Sequence, residues 1–193
     1  MIRPMKSPFS VNQSRTEGAV RFIVIFVFLI SVFGCSKTET VSDSKPGSNY
    51  ELGTVITFGS GGDSERFRGR GWSHTEDQQT WTASKSAKLR FSGLPPGKPL
   101  MLKATLCGLM KTSDSPGQPT EVYANGQKIA DWQVGERNEF TAPLPGNIVK
   151  TDGALQLEFR TPKAASPKSL GINSDSRVLG IGVFDLVIES DSE

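Results

Sequence analysis

The chain has 193 residues, 36% of them hydrophobic and 22% charged, with a formal net charge of +2. That positive balance belongs to the first 34 residues, which hold Arg3, Lys6, Arg15 and Arg21 against Glu17 and leave 18 of the 22 basic and 19 of the 20 acidic side chains beyond them. A near-neutral remainder argues against nucleic acid as a partner, because phosphate binding needs a basic patch.

The first element is an apolar run, Phe22 to Phe33, in which only Ser31 is polar. As a helix it would measure about 18 Å against roughly 30 Å of hydrocarbon, short for a membrane span and the right length for the apolar core of an export signal. The arginines and the lysine before it supply the positive flank of such a signal. Val32-Phe33-Gly34-Cys35 follows. This resembles the lipobox of bacterial lipoproteins, in which a small residue precedes an obligatory Cys; Phe33 departs from the usual pattern. The resemblance implies cleavage after residue 34, lipidation of Cys35 with fatty acyl chains of the palmitate kind, and anchoring to a membrane at about 0.8 kcal/mol per buried CH₂. An uncleaved signal anchor is the alternative reading. Ser36, where Asp would favour retention at the inner membrane, points to the outer membrane by analogy with the enterobacterial sorting rule.

Residues 35–49 are expected to form the lipidated Cys and a disordered tether, since Ser36 to Asn49 holds one apolar residue, Val41. As a coil it would reach about 20 Å root-mean-square. With Cys35 lipidated, Cys107 has no partner and is expected to be a buried thiol; a Cys35–Cys107 disulfide is the alternative.

From residue 50 to residue 193 the pattern has period two, and one domain with one core is expected. Tyr50, Leu52, Thr54, Ile56 and Phe58 alternate with smaller or polar residues; so do Ala87, Leu89 and Phe91, then Leu100, Leu102, Ala104 and Leu106, then Leu155, Leu157 and Phe159, and finally Phe184, Leu186 and Ile188. One apolar and one wet face per strand is the signature of antiparallel sheet. Asn125-Gly126, between Glu121–Ala124 and Gln127–Trp132, is a two-residue hairpin signal. With 20 Gly and 12 Pro, long helices have little room. Thr161 to Arg177 reads as a long loop. The expected fold is all-β: an antiparallel β-sandwich, jelly-roll-like, of about eight strands.

Enzyme signatures are sparse. One His, His74, and the one Cys left once Cys35 is lipidated do not make a zinc cluster, so no metal is expected and nothing calls for a cofactor. Gly93 to Pro99 resembles a phosphate loop with one residue too few between its glycines and Pro99 in place of the hydroxyl. A serine triad would have to use His74, next to Ser73. Paired carboxylates for glycoside cleavage stay open, because their separation in space is not written in the sequence.

Two constellations remain. Gly71-Trp72-Ser73-His74-Thr75-Glu76, followed by Trp81-Thr82, gathers two indoles and a carboxylate, the groups a glycan site uses; core or sandwich-edge packing of both indoles, with their N–H groups bonded locally, is the simpler reading. Ser166-Pro167 to Leu170-Gly171, then Asp175 and Arg177, offers a guanidinium that could clamp a ligand carboxylate or pin the long loop against Glu76 or Asp175. If sandwich loops bring the two stretches to one end, Arg177 can reach Glu76.

In this order, Gly71-Trp72, Glu76, Trp81-Thr82, Val122 to Gly126, Ser166-Pro167, Leu170-Gly171, Asp175, Arg177 and Leu179 to Gly182 resemble a domain found at the C-termini of membrane-bound phosphoglycerol-transferase-like and glycosyltransferase-like envelope proteins. The resemblance implies a sandwich accessory domain in surface-polysaccharide settings. It yields the expectation of a non-catalytic, lipid-anchored envelope protein that binds a cell-surface glycan or an envelope partner through Trp72, Glu76, Trp81, Asp175 and Arg177. The alternatives are an assembly lipoprotein that contacts only protein and a carboxylate-dependent glycoside hydrolase.

Overall fold

A computed structural model describes residues 46–109 and 116–191. The export signal, the lipidation site Cys35 and the first part of the expected tether lie outside the described residues.

Two sheets face each other. The first has the strand order β1 (Ser48–Asn49), β5 (Ser86–Ser92), β10 (Leu155–Arg160), β7 (Gln118–Ala124) and β8 (Gln127–Val134). The second runs β3 (Trp72–Thr75), β4 (Thr80–Thr82), β11 (Ile181–Ser190), β6 (Leu100–Gly108) and β9 (Asn138–Leu144), with β2 (Ile56–Thr57) also on β11. From β5 to β11 the chain crosses repeatedly between the sheets, which is the wrapping of a jelly roll. Among the described residues the one helical element is a single 3₁₀ turn at Ser64–Arg66.

Alternation places the core. Leu89, Leu102, Leu157 and Leu186, one from each of four strands, are all 0% exposed. At one end Phe67 stacks on Phe91 at 5.2 Å and Tyr50 meets Phe91 edge-on at 5.5 Å. The buried Tyr50 hydroxyl donates to the Thr54 carbonyl at 2.6 Å and accepts from the Ile188 amide at 2.8 Å, so its polar tip is not left orphaned. The Asn125-Gly126 hairpin forms as expected: both residues have positive φ, 45° and 86°, the mirror-image turn that matches the twist of two antiparallel strands.

Three expectations need correction. The tether does not extend to residue 49, because Ser48 and Asn49 pair in parallel with Phe91 and Ser92 and belong to the first sheet. Residues 50–58 are not one strand: Glu51 to Thr54 turn, and only Ile56–Thr57 pairs, since the Tyr50 hydroxyl draws the backbone at Thr54 inward. Phe184 does not share the core face of Leu186. β11 pairs with β4 through Gly182 and Val183 and with β2 through Asp185 and Leu186, and the register slips between Val183 and Asp185 where the partner changes. Phe184 is the extra residue of that bulge and is turned off the core.

Candidate functional site

The stretch from Trp72 to Trp81 is a short hairpin at the edge of the second sheet, not the loop its polarity suggests. An edge strand tolerates polar residues because one side of it meets water. Trp72 pairs with Thr82 and Thr75 with Thr80, and the register shifts between them. Thr80 and Thr82 are 0% exposed and point inward. Thr80 Oγ1 donates to the Phe58 carbonyl at 2.6 Å, and Thr82 Oγ1 accepts from the Ile181 amide at 3.0 Å, so two buried hydroxyls tie β4 to the chain just past β2 and to β11.

Paired residues share a face, so Trp72 points inward with Thr82 and Trp81 points outward between the two threonines. Trp72 packs on Phe58 with ring centroids 5.3 Å apart, and its indole N–H donates to the Lys88 carbonyl at 2.8 Å. It bridges the two sheets at their edge and offers no platform. The two indoles grouped by the sequence therefore serve different surfaces.

Trp81 is half-buried on the outer face. Its neighbour across β11 is Gly182, and Cys107 on β6 is the next position along the same row. A Cβ on Gly182 would stand 2.9 Å from Cys107 Sγ, 3.3 Å from Gln79 Cδ and 3.4 Å from Trp81 Cε2. The glycine makes room chiefly for the Cys107 thiol and the Gln79 amide; the indole would meet the Cβ at ordinary contact distance. The indole N–H donates to Glu76 Oε2 at 3.2 Å. Cys107 is a free thiol, half-buried on this face rather than in the core, and burial pushes its thiol up to about 11.

Arg177 arrives from the long loop 161–180, which is built of turns. Ser166 Oγ accepts from the Ser169 amide at 3.1 Å, Asn173 Oδ1 from the Asp175 amide at 2.8 Å and Asp175 Oδ1 from the Arg177 amide at 2.9 Å. A bridge between Ala165 and Leu179 closes the loop's base. Gly180 lies so close to Thr161 and Thr82 that a Cβ there would meet their hydroxyls at 2.4 and 2.7 Å. Arg177 Nη2 donates to Asp175 Oδ2 at 2.6 Å and to Glu76 Oε1 at 3.1 Å, and Nη1 donates to Ser73 Oγ at 2.7 Å. Nη1 also stands 3.5 and 3.4 Å from the two ring nitrogens of His74. Near-equal distances put it over the imidazole face, because in the ring plane Cε1 would be in the way.

The guanidinium is thus saturated by its own chain and ties the loop to the hairpin. Its side chain is 34% exposed, that of Glu76 32% and that of Asp175 22%, so the network is partly shielded from water. The hydrogen bonds from Arg177 hold the Asp175 carboxyl below its ordinary range. A glycosidase acid needs the opposite shift. Ser73 Oγ accepts from Arg177 at 2.7 Å and stands 3.5 Å from His74 Nδ1, at the outer limit of a hydrogen bond, while Arg177 Nη1 lies against the same ring. Gly93–Pro99 is a strand-to-strand turn with no helix after it, so it lacks the frame of a phosphate loop. Among the described residues no group of three or more His, Cys, Asp or Glu could hold a metal ion.

An open cavity of ≈ 510 Å³ is lined by His74, Thr75, Glu76, Asp77, Gln78 and Gln79, and so includes the carboxylate that holds the Trp81 N–H. Of the predicted site residues, the structure brings Glu76, Trp81, Asp175 and Arg177 together and sets Trp72 apart. Sequence reasoning missed Gln78, Gln79 and Gly182. The signal for Gly182 was present in Leu-Gly-Ile-Gly, whose second glycine faces Trp81.

No family model matches the chain, and no curated protein matches it in sequence. Among solved structures it is similar to the CBM22-1 xylan-binding domain of Paenibacillus barcinonensis Xyn10C, at a TM-score of 0.48 and 8% identity over 76% of this chain and 99% of that one. It is also similar to the CBM36-1 domain of a multidomain xylanase from the hindgut metagenome of Trinervitermes trinervoides, at 0.43 and 9% over 72% and 98%. A third is the C-terminal CBM6 of LamC from Zobellia galactanivorans, at 0.41 and 8% over 71% and 98%.

Proposed function

We propose that this chain is a non-catalytic envelope protein, lipid-anchored at Cys35, whose sandwich binds a glycan on the outer face of the second sheet. The observation that carries the reading is Trp81: an outward indole across from a glycine, its N–H held by Glu76, which also lines a polar cavity. A sugar ring has an apolar C–H face and a rim of hydroxyls. The first suits an aromatic ring, and the second suits carboxylate and amide groups that accept and donate in fixed directions. Glu76, Asp77, Gln78 and Gln79 supply those groups. Arg177 is a positioning residue: it holds Glu76 in place for both Trp81 and ligand and keeps the loop closed. The leader read from the sequence supports the anchor and the outer membrane as its place.

Affinity electrophoresis of the protein through gels containing soluble polysaccharides tests the reading. Wild type is expected to be retarded by at least one polysaccharide, and Trp81→Ala to lower affinity at least tenfold, about 1.4 kcal/mol, with an unchanged circular dichroism spectrum. Capture of an envelope protein with no retardation in any gel would transfer the site to a protein partner.

A further inference from the structure

A second open cavity, ≈ 400 Å³, adjoins the first and shares Gln78 with it. Its other walls are Thr57, the Gly59–Gly62 loop, Arg137, Phe184 and Asp185. The loop is fixed to the hairpin by a hydrogen bond from the Ser60 amide to the Asp77 carbonyl, 3.1 Å, so the two cavities have a common rim. Between Trp81 on β4 and Arg137 just before β9 lie β11 and β6, three strand spacings or about 14 Å.

Arg137 is the distinctive group of this second cavity. Its guanidinium carbon sits 3.9 Å from the Phe184 ring centroid, and Phe184 faces it because the β11 bulge turned that ring off the core. A guanidinium stacked on an aromatic ring is fixed in position yet keeps its N–H edge free for a planar, two-pronged acceptor. Arg66, Lys103, Lys128, Arg160 and Arg177 each hold a carboxylate of this chain. Arg137 is exposed and, among the described residues, forms no ion pair, although Asp185 lines the same cavity. Bulges that re-aim a side chain recur beside binding sites.

We infer that the glycan site runs on from Trp81 into this second cavity and takes a linear acidic glycan, one whose sugar at the far end presents a carboxylate to Arg137. The inference rests on the glycan reading above and adds its substrate class. Neutral hydroxyls face Glu76 and the glutamines; the charged group lies beyond Gln78, away from the carboxylates of the first cavity.

The experiment titrates the protein calorimetrically with hexauronates from an α-linked and a β-linked series, and with the same oligomers after reduction of their carboxyl groups. In at least one series the acid is expected to bind tenfold or more tighter than its reduced form at low salt. Arg137→Gln should bring the two within twofold of each other without lowering the melting temperature, and Trp81→Ala should weaken both. Equal binding of acid and reduced forms by wild type, or an acid preference that survives Arg137→Gln, overturns the acidic subsite. Either result leaves the glycan reading standing if Trp81→Ala still weakens binding, and no binding of any oligomer overturns the acidic subsite while retardation in the polysaccharide gels decides the glycan reading.

Discussion

Arg177 and Ser73 are 104 positions apart in the chain and 2.7 Å apart in space. Through that bond and those to Glu76 and Asp175, one guanidinium closes the loop 161–180 over the edge hairpin. Arg177→Ala should cost about 1–2 kcal/mol, because it removes the charged donor from two carboxylates of a partly shielded network, leaving Glu76 the Trp81 N–H and Asp175 the residue-177 amide. In a domain of this size that is a fall of roughly 2–8 °C in thermal denaturation. Asp175 sets the pH dependence. Its folded pKa is depressed by Arg177, so its contribution is complete above the ordinary aspartate value, about 3.9, and is lost as pH falls through the lowered value. The variant should therefore lose less stability than wild type on acidification below about pH 4. An unchanged melting temperature would mean the clasp is only a surface contact.

The platform under Trp81 predicts a coupled pair. Gly182→Ala brings a Cβ to 2.9 Å from Cys107 Sγ and 3.3 Å from Gln79 Cδ, which should cost about 1–3 kcal/mol. Cys107→Ala removes the nearest obstacle. In the double variant the cost of Gly182→Ala should fall by more than half, measured as a double-mutant cycle in urea. Additive costs would show that the glycine is needed for some other reason.

Face assignment is tested on neighbouring strands. Leu157 is 0% exposed at the centre of β10, and its truncation to Ala should cost about 2–5 kcal/mol. Lys88 stands on the outer face of β5 opposite Glu158, and Lys88→Ala should stay within about 1 kcal/mol. Similar losses at both would contradict the layering.

Cys35→Ala should leave an unprocessed precursor that takes up no palmitate analogue in metabolic labelling. Equal label in wild type and variant would remove the lipid anchor from the proposal.

Much of the sandwich was legible. Leu89, Leu102, Leu157 and Leu186 sit where strict alternation puts them, because each lies in a strand regularly paired with a neighbouring strand at that position. Asn125-Gly126 was legible because its turn is dictated locally by two residues that tolerate positive φ. Phe184 was not, since alternation continues unbroken through Phe184, Leu186 and Ile188 and the bulge arises only where β11 exchanges β4 for β2. Ser48–Asn49 carried no strand signal, as two residues on a sheet edge need no apolar side chain. In the site, Arg177 and Glu76 could be joined from the sequence because loops of a sandwich gather at its ends. The separation of Trp72 from Trp81 could not, because it depends on a register shift between Trp72 and Thr75 that moves the intervening residues relative to their partners.

The parallel pairing of β1 with β5 bears on how the fold carries load. A pull that enters through residue 45 reaches first two residues of strand, Ser48 and Asn49, with the Ser48 and Ser92 hydroxyl bonds to the Arg66 and Gly47 carbonyls beside them. Those bonds, and the one from the Tyr50 amide to the Ser92 carbonyl, stand before the Tyr50 hydroxyl and, behind it, the packed aromatic cluster. β1 is therefore a mechanical fuse: under strain the chain lengthens by a few residues at the edge of the first sheet while the layers, and the face that carries Trp81, stay shut.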